Sequence, residues 1–309
     1  MFVSTRFIDV VTNEVLAATE ASAYVERVED LTRLADEIVN GMVESARMKN
    51  SNSSSGVSSQ SSNPTGRDFV ENSLGLNMKM VWVEGGSFQM GGTSEQGSDV
   101  FDNEYPIRRV NLNGFFIGES VVTQEQWEKV MGTSIYQQAS KAGYSVTSVG
   151  PDYPMYYVSW DEAQAFCREL SRITGRTYCL PTEAQWEYAA RGGKNNEGTK
   201  YSGSWSLDAV GWYDDNSGSA PQRVKYKRPN SLGIYDMSGN VWEWCSDWYS
   251  NTYNVNDVNN PTGPSSGSNR VLRGGGWFDY ARKCRVSYRG SNSPGSRTDA
   301  IGFRVVLIP

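Results

Sequence analysis

Two stretches of this 309-residue chain carry side chains whose types and spacing could do chemistry. The first is DMSGNVWEW, residues 236–244, where the carboxylates Asp236 and Glu243 flank a tight turn at Gly239. Hard side-chain oxygens, joined by main-chain carbonyls that such a turn leaves facing one point, form the donor set that calcium prefers. The same residues also read as an acidic turn whose Trp242 and Trp244 pack in a core. The second is residues 272–308, LRGGGWFDYARKCRVSYRGSNSPGSRTDAIGFRVVLI, which holds the thiol Cys284. There a frame (RGGGW, Cys284-Arg285-Val286, Pro294, Gly302-Phe303-Arg304) encloses an irregular filling of Phe, Tyr, Asp, Arg, Ser, Gly, Asn and Thr. That filling has the composition of a binding surface. Arg273, Arg289 and Arg304, set beside glycines or aromatics, are expected to tie loops to internal carboxylates.

What is absent narrows the chemistry further. The chain has no histidine, which removes imidazole acid–base catalysis, serine–histidine triads and histidine-ligated metals together. Its four cysteines (Cys167, Cys179, Cys245, Cys284) show no CxxC spacing, so a zinc or redox motif is not expected. They read as buried free thiols, with disulfides between distant pairs as the alternative. A net charge of -6 without a basic cluster argues against nucleic acid as a partner.

The elements that must position these residues can be read from pattern. Residues 2–18 suggest a hairpin, and Tyr24, Val28, Leu31, Ala35, Ile38 and Met42 follow at helical spacing. We therefore expect an N-terminal hairpin plus amphipathic helix over 1–48, too small to bury a core alone. A Ser-rich linker is expected over 49–71 and the main domain over 72–309. That domain opens with the strand-like MKMVWVEGGSFQMGG. Capping boxes at Thr123/Gln126, Ser159/Glu162 and Thr182/Gln185 start three helices, and Gly132, Gly175 and Gly192 stop them. After about Tyr201 helical period is lost, which predicts an α+β class with high loop content. No run approaches a transmembrane helix, and the first residues do not read as a signal peptide.

Six motifs in order, VWVEGGSFQMGG, PIRRVNLNGFFIGESVVTQEQWEKVM, YPMYYVSWDEAQAFCRELSRITGRTYCLPTEAQWEYAARGG, PNSLGIYDMSGNVWEWCSDWY, RVLRGGGW and IGFRVV, resemble the formylglycine-generating-enzyme (sulfatase-modifying-factor) family. The resemblance covers the whole chain after the linker and implies that family's variant of the C-type-lectin-like fold. It implies a calcium ion held by the side chains of Asp236 and Glu243 and the carbonyls of Gly239 and Val241. Enzymes of the family bind copper through two cysteines, here aligned with Asp279 and Cys284. One thiolate and a hard carboxylate do not make the two-sulfur site that monovalent copper prefers, so neither copper nor formylglycine chemistry is expected. Iron enzymes of this fold need histidines, and there are none.

The C-terminal frame also resembles the variable region, here about 273–304, of proteins diversified by retroelements. In such systems adenine mutagenesis turns Asn codons into most amino acids, but not Lys, Glu, Gln, Met or Trp. The candidate variable, ligand-binding positions are Phe278, Asp279, Tyr280, Arg282, Tyr288, Gly290, Ser291, Asn292, Ser293, Gly295, Ser296, Thr298, Asp299 and Ala300, and all fourteen carry reachable residues. Lys283 does not fit. Phe278, Tyr280 and Tyr288 would anchor a ligand, with Asp279, Arg282 and the small polar residues setting specificity. Changing such positions together should barely move the melting temperature. These readings lead us to expect a non-enzymatic, monomeric binder of a protein rather than a carbohydrate, since no Glu-Pro-Asn or Gln-Pro-Asp sugar motif occurs. The alternative is an oxidase or a sulfatase-maturation accessory protein. From the resemblance we expect a cell-surface location, with any membrane link made through an anchor not seen in this chain.

Overall fold

The computed structural model describes residues 66–196 and 198–309, and in the first 65 residues only four short strands. Phe7–Ile8 pairs antiparallel with Val15–Ala17, which is the expected hairpin, and Phe2–Val3 pairs with Ala23–Tyr24. Tyr24 therefore lies in a strand and not at the start of a helix. The rest of the expected helix and most of the linker lie outside the described residues. The linker ends earlier than expected, because Phe69–Glu71 already pairs with Met78–Val83. The cause is side-chain chemistry. Phe69 packs edge-on against Phe116 at 5.2 Å, and buried Glu71 accepts a hydrogen bond from the Tyr178 hydroxyl at 2.9 Å.

A five-stranded antiparallel sheet runs in the order Tyr178–Cys179, Val306–Leu307, Phe115–Gly118, Met78–Val83, Phe69–Glu71. Its Val81, Val83, Phe115, Ile117 and Val306 pack with Trp186 and Ala190 of the helix Glu183–Ala190 into one core. The hairpin Gly86–Met90 with Arg108–Leu112 adds Phe88, Met90 and Val110 to it.

The three capping boxes form as expected. Thr123, Ser159 and Thr182 accept from the third helical N–H, and Gln126, Glu162 and Gln185 accept in return from the cap N–H. Their helices are Gln124–Met131, Trp160–Thr174 and Glu183–Ala190. Gly132 and Gly175 end the first two in the left-handed conformation, and Gly192 follows the third with φ 89°. Two helices were not anticipated, Ile135–Ala142 and the single turn Leu207–Val210. The polar run YQQASK in the first and the four-residue length of the second leave too little period to read.

A second sheet carries the C-terminal segment, in the order Gly290–Asn292, Arg270–Arg273, Trp242–Trp248, Ile301–Gly302. Alternation along its strands divides it. Glu243 lies opposite Arg273, and these residues share a face with Cys245 and Val271, which belong to the core. Trp242, Trp244, Leu272 and Gly290 share the other face. All four cysteines are free thiols. Among the described residues no helix is long and apolar enough to cross a membrane.

Candidate functional site

The C-terminal segment is fastened from behind by buried arginines. Arg273 pairs with Glu187 and donates to the carbonyls of Ser287 and Tyr288 at 2.8 and 2.6 Å. Arg285 grips both oxygens of Glu104, at 2.9 and 2.6 Å. Arg289 does the same to Glu183, at 2.6 and 2.8 Å. Arg304 holds Glu243 through two bonds at 2.6 and 2.7 Å. Arg273, Arg289 and Arg304 thus take the internal role expected of them, and Arg285 joins them. Planar guanidinium–carboxylate forks fix geometry as well as charge, so the turn of residues 284–289 is held rigidly.

Above this layer lies a cavity of about 370 Å³. All four strands of the second sheet contribute to its lining, through Trp242, Leu272, Ile301 and the run Gly290-Ser291-Asn292. Phe278, Asp279, Lys283, Tyr288 and Thr298 complete it from the connecting loops. Seven of the fourteen expected positions therefore line one pocket: Phe278, Asp279, Tyr288, Gly290, Ser291, Asn292 and Thr298. Tyr280, Arg282, Ser293 and Gly295 are exposed, while Ser296 and Asp299 are half-buried. Phe278 and Tyr280 are 48% and 64% exposed, high values for aromatics that could otherwise be buried.

Three of the fourteen positions have structural roles of their own. Asp279 is buried; its Oδ2 accepts from the Trp242 indole at 2.7 Å and from the Gly276 N–H at 3.0 Å. Its Oδ1 pairs with Lys283 Nζ at 2.8 Å, and this hydrogen bond holds the Lys283 ammonium above its usual range. Asp279 thus ties the loop together while lining the pocket. Its partner Lys283, the one residue that did not fit the variable pattern, has a structural reason to be fixed. Ala300 is wholly buried, 3.3 Å from where a Cβ on Gly276 would stand. A Cβ on Gly290 would meet Cζ3 of Trp242 at 2.7 Å, so the indole leaves that position no room for a side chain.

Cys284 is buried, and desolvation pushes its thiol well above the ordinary value, with the charge of Asp279 adding to the effect. A thiol held protonated in this way is a poor metal ligand and a poor nucleophile.

The site also reaches beyond the segment that the sequence singled out. Phe101, from the loop before the strand Arg108–Leu112, meets Tyr288 edge-on at 5.4 Å and lies under the Arg282 guanidinium at 5.7 Å. It stands in the aperiodic run DVFDNEYP, which offers no sequence signal of its role.

The DMSGNVWEW turn can be tested against calcium. Asp236 Oδ2 accepts from the Lys225 N–H at 2.9 Å, whereas Oδ1 is buried without a partner and burial pushes the carboxyl up to about 6. A cation beside Oδ1 would replace the solvation it has lost. Asp236, Gly239 and Asn240 are left-handed (φ 58°, 89° and 66°), and a Cβ on Gly239 would strike the Trp212 carbonyl at 2.2 Å. Glu243 Oε2 accepts from Trp186 at 2.7 Å and Arg304 at 2.6 Å, while Oε1 takes one bond from Arg304 and keeps a lone pair. Asp236 fits a hard cation well and Glu243 in part. Among the described residues no three acidic, Cys or His side chains are placed to hold a metal ion, so an ion here would need the carbonyls of Gly239 and Val241.

Comparison with known proteins bears on this geometry. Residues 66–308 match the model of the Sulfatase-modifying factor enzyme 1-like domain. Over 287 residues the chain is 32% identical to the formylglycine-generating enzyme of Streptomyces coelicolor, a match covering 72% of this chain and 87% of that enzyme. Among solved structures, Treponema denticola variable protein 1 superposes with a TM-score of 0.66 at 30% identity, over 80% of this chain and 100% of that one. PvdO from Pseudomonas aeruginosa superposes with a TM-score of 0.64 at 23% identity, over 80% and 100%, which speaks to the fold alone.

Proposed function

Because this chain belongs to the sulfatase-modifying factor enzyme 1-like family, with the formylglycine-generating-enzyme variant of the C-type lectin fold, we propose that it is a binder that has lost the family's chemistry. One observation carries this reading. Asp279 stands where the first copper-binding cysteine is expected, and it is consumed by Trp242, Gly276 and Lys283. The protonated Cys284 thiol beside it lacks the second sulfur of a two-coordinate copper site. The cavity of about 370 Å³ is then a recess for ligand side chains, within the range of small-ligand pockets. Phe278, Tyr280 and Tyr288 serve as anchors, Arg282 as a polar selector, and Phe101 as an aromatic contributed from outside the variable segment.

The ligand we propose is a polypeptide. Exposed aromatics beside an arginine and small polar groups make up the surface that antibodies present to proteins. The similarity to a protein named as variable supports diversification of these positions. A cell-surface location and a structural calcium ion at Asp236 belong to the same proposal.

The alternative, an oxidase or a maturation accessory protein, is favoured by the 32% identity to a formylglycine-generating enzyme. One experiment separates the two. A random peptide library is panned on the wild type, and copper-dependent oxidation of a cysteine-containing peptide is assayed in parallel. Our reading expects selected peptides whose binding is lost in F278A/Y280A, and no oxidation. Turnover of the thiol peptide with copper would overturn it.

A further inference from the structure

Six arginines of the described chain are buried: Arg108, Arg191, Arg273, Arg285, Arg289 and Arg304. Five are neutralised by carboxylates. Arg108 is not; among the described residues no carboxylate lies within ion-pair distance of it. Its Nη1 donates to the carbonyls of Asn254 and Asp257 at 2.6 and 3.2 Å, and its Nη2 reaches only the Met90 sulfur, at 3.7 Å. Its Nε is buried with no partner. An uncompensated guanidinium out of water is costly, and a fold retains one where something anionic answers it.

Arg108 lines a second cavity, of about 240 Å³, beneath the loop of residues 249–264. This cavity is separate from the C-terminal pocket, since Tyr288 and Gly290 line that one and the intervening Arg289 lines this one. Tyr253 lines it as well. Its ring is met by both Arg108 and Arg289, whose guanidinium carbons lie 4.6 and 4.0 Å from the ring centre. The Tyr253 hydroxyl is buried and, like Arg108 Nε, makes no hydrogen bond. Two unmet donors thus share one cavity with a guanidinium that has no direct ion pair and whose charge is met only at a distance, by Glu183.

The acidic groups beside them restrict the occupant. Glu183 is spent on Arg289, and Asp247 Oδ2 accepts from the Glu183 N–H at 2.9 Å and from Ser246. A doubly charged phosphate would meet these carboxyls with Arg108 as the one cation, among the described residues lining the cavity, that makes no direct ion pair. A single negative charge spread over two oxygens matches Arg108 and Tyr253, and Trp248 and Pro264 line the same cavity with apolar surface. We propose that this cavity binds a small organic monocarboxylate, its oxygens taken by Arg108 and by the Tyr253 hydroxyl and its short carbon chain lying against the apolar wall.

The inference does not depend on the binder reading above, because the two cavities use different residues. The test measures thermal stabilisation and direct calorimetric binding of the full chain with butyrate and benzoate, against inorganic phosphate and chloride at matched ionic strength. We expect saturable stabilisation by the carboxylates alone, weakened at least about tenfold in R108M and in Y253F, as loss of a charge-assisted hydrogen bond implies. F278A/Y280A should bind as the wild type does. Y253F removes a single hydroxyl and guards against misfolding of R108M. Equal response to phosphate or chloride, no saturable response to any carboxylate, or unchanged affinity in Y253F would each overturn the proposal.

Discussion

At residue scale the account turns on Asp279. It satisfies two buried donors and one ammonium with two oxygens, so removing it orphans the Trp242 indole and the Gly276 N–H at once. D279A should lower unfolding stability by about 2–4 kcal/mol, whereas Y280A, 64% exposed one position away, should stay within about 0.5 kcal/mol. Urea denaturation of both variants checks the contrast, and equal effects would contradict it. The residue types in this segment were legible in the sequence and their burial was not. A polar residue in an aperiodic loop gives no period from which to infer that it points inward. For the same reason the sequence pattern groups Ala300 and Gly290 with surface positions, although the Trp242 ring decides the latter. The roles of Arg273, Arg289 and Arg304 are legible because a guanidinium beside glycines has few uses other than binding a carboxylate.

At the scale of elements, the loop bearing Phe101 is locked to the C-terminal segment by Arg285 on Glu104, both fully buried. E104Q leaves that guanidinium uncompensated and should cost about 3–5 kcal/mol. Because Phe101 contacts Tyr288, the same change should weaken binding of any peptide selected at the pocket. Another junction, between the strand Trp242–Trp248 and the helix Glu183–Ala190, responds to pH. Burial, with the nearby Glu183 charge adding, pushes Asp247 up to about 7. From about pH 4 to about pH 7 the unfolded chain has this carboxyl ionised while the folded chain keeps it protonated. Its contribution to stability therefore falls as pH rises through that window and is flat beyond it. Wild-type stability minus that of D247N should fall by on the order of 1–3 kcal/mol across the window, as read from urea midpoints. A rise would contradict the sign. Helix starts were legible because a capping box is a local pattern. The order of the two sheets was not, since pairings such as Trp242 with Ile301 join residues whose adjacency no local pattern encodes.

At the scale of the molecule, a stiff interior carries a surface that the interior does not need. Buried forks and the core around Trp186 hold the scaffold, and calcium at Asp236 would add to it. Saturating calcium should raise the melting temperature, with ~2.7 kcal/mol expected at a hundredfold excess over Kd, and chelation should reverse the gain. No shift in calorimetry would mean that Asp236 Oδ1 has another partner in solution. The family resemblance made the fold legible, because its motifs span the scaffold from the first sheet to Arg304. It could not show that Phe101 packs against Tyr288 of the pocket lining. The most direct test of the central claim replaces Phe278, Tyr280, Arg282 and Tyr288 together by serine. Melting and the binding of library-selected peptides are then measured on the same sample. The account predicts a melting temperature within about 4 °C of the wild type and a loss of affinity of at least about tenfold. A collapse of the fold, or peptides that still bind with unchanged affinity, would contradict it.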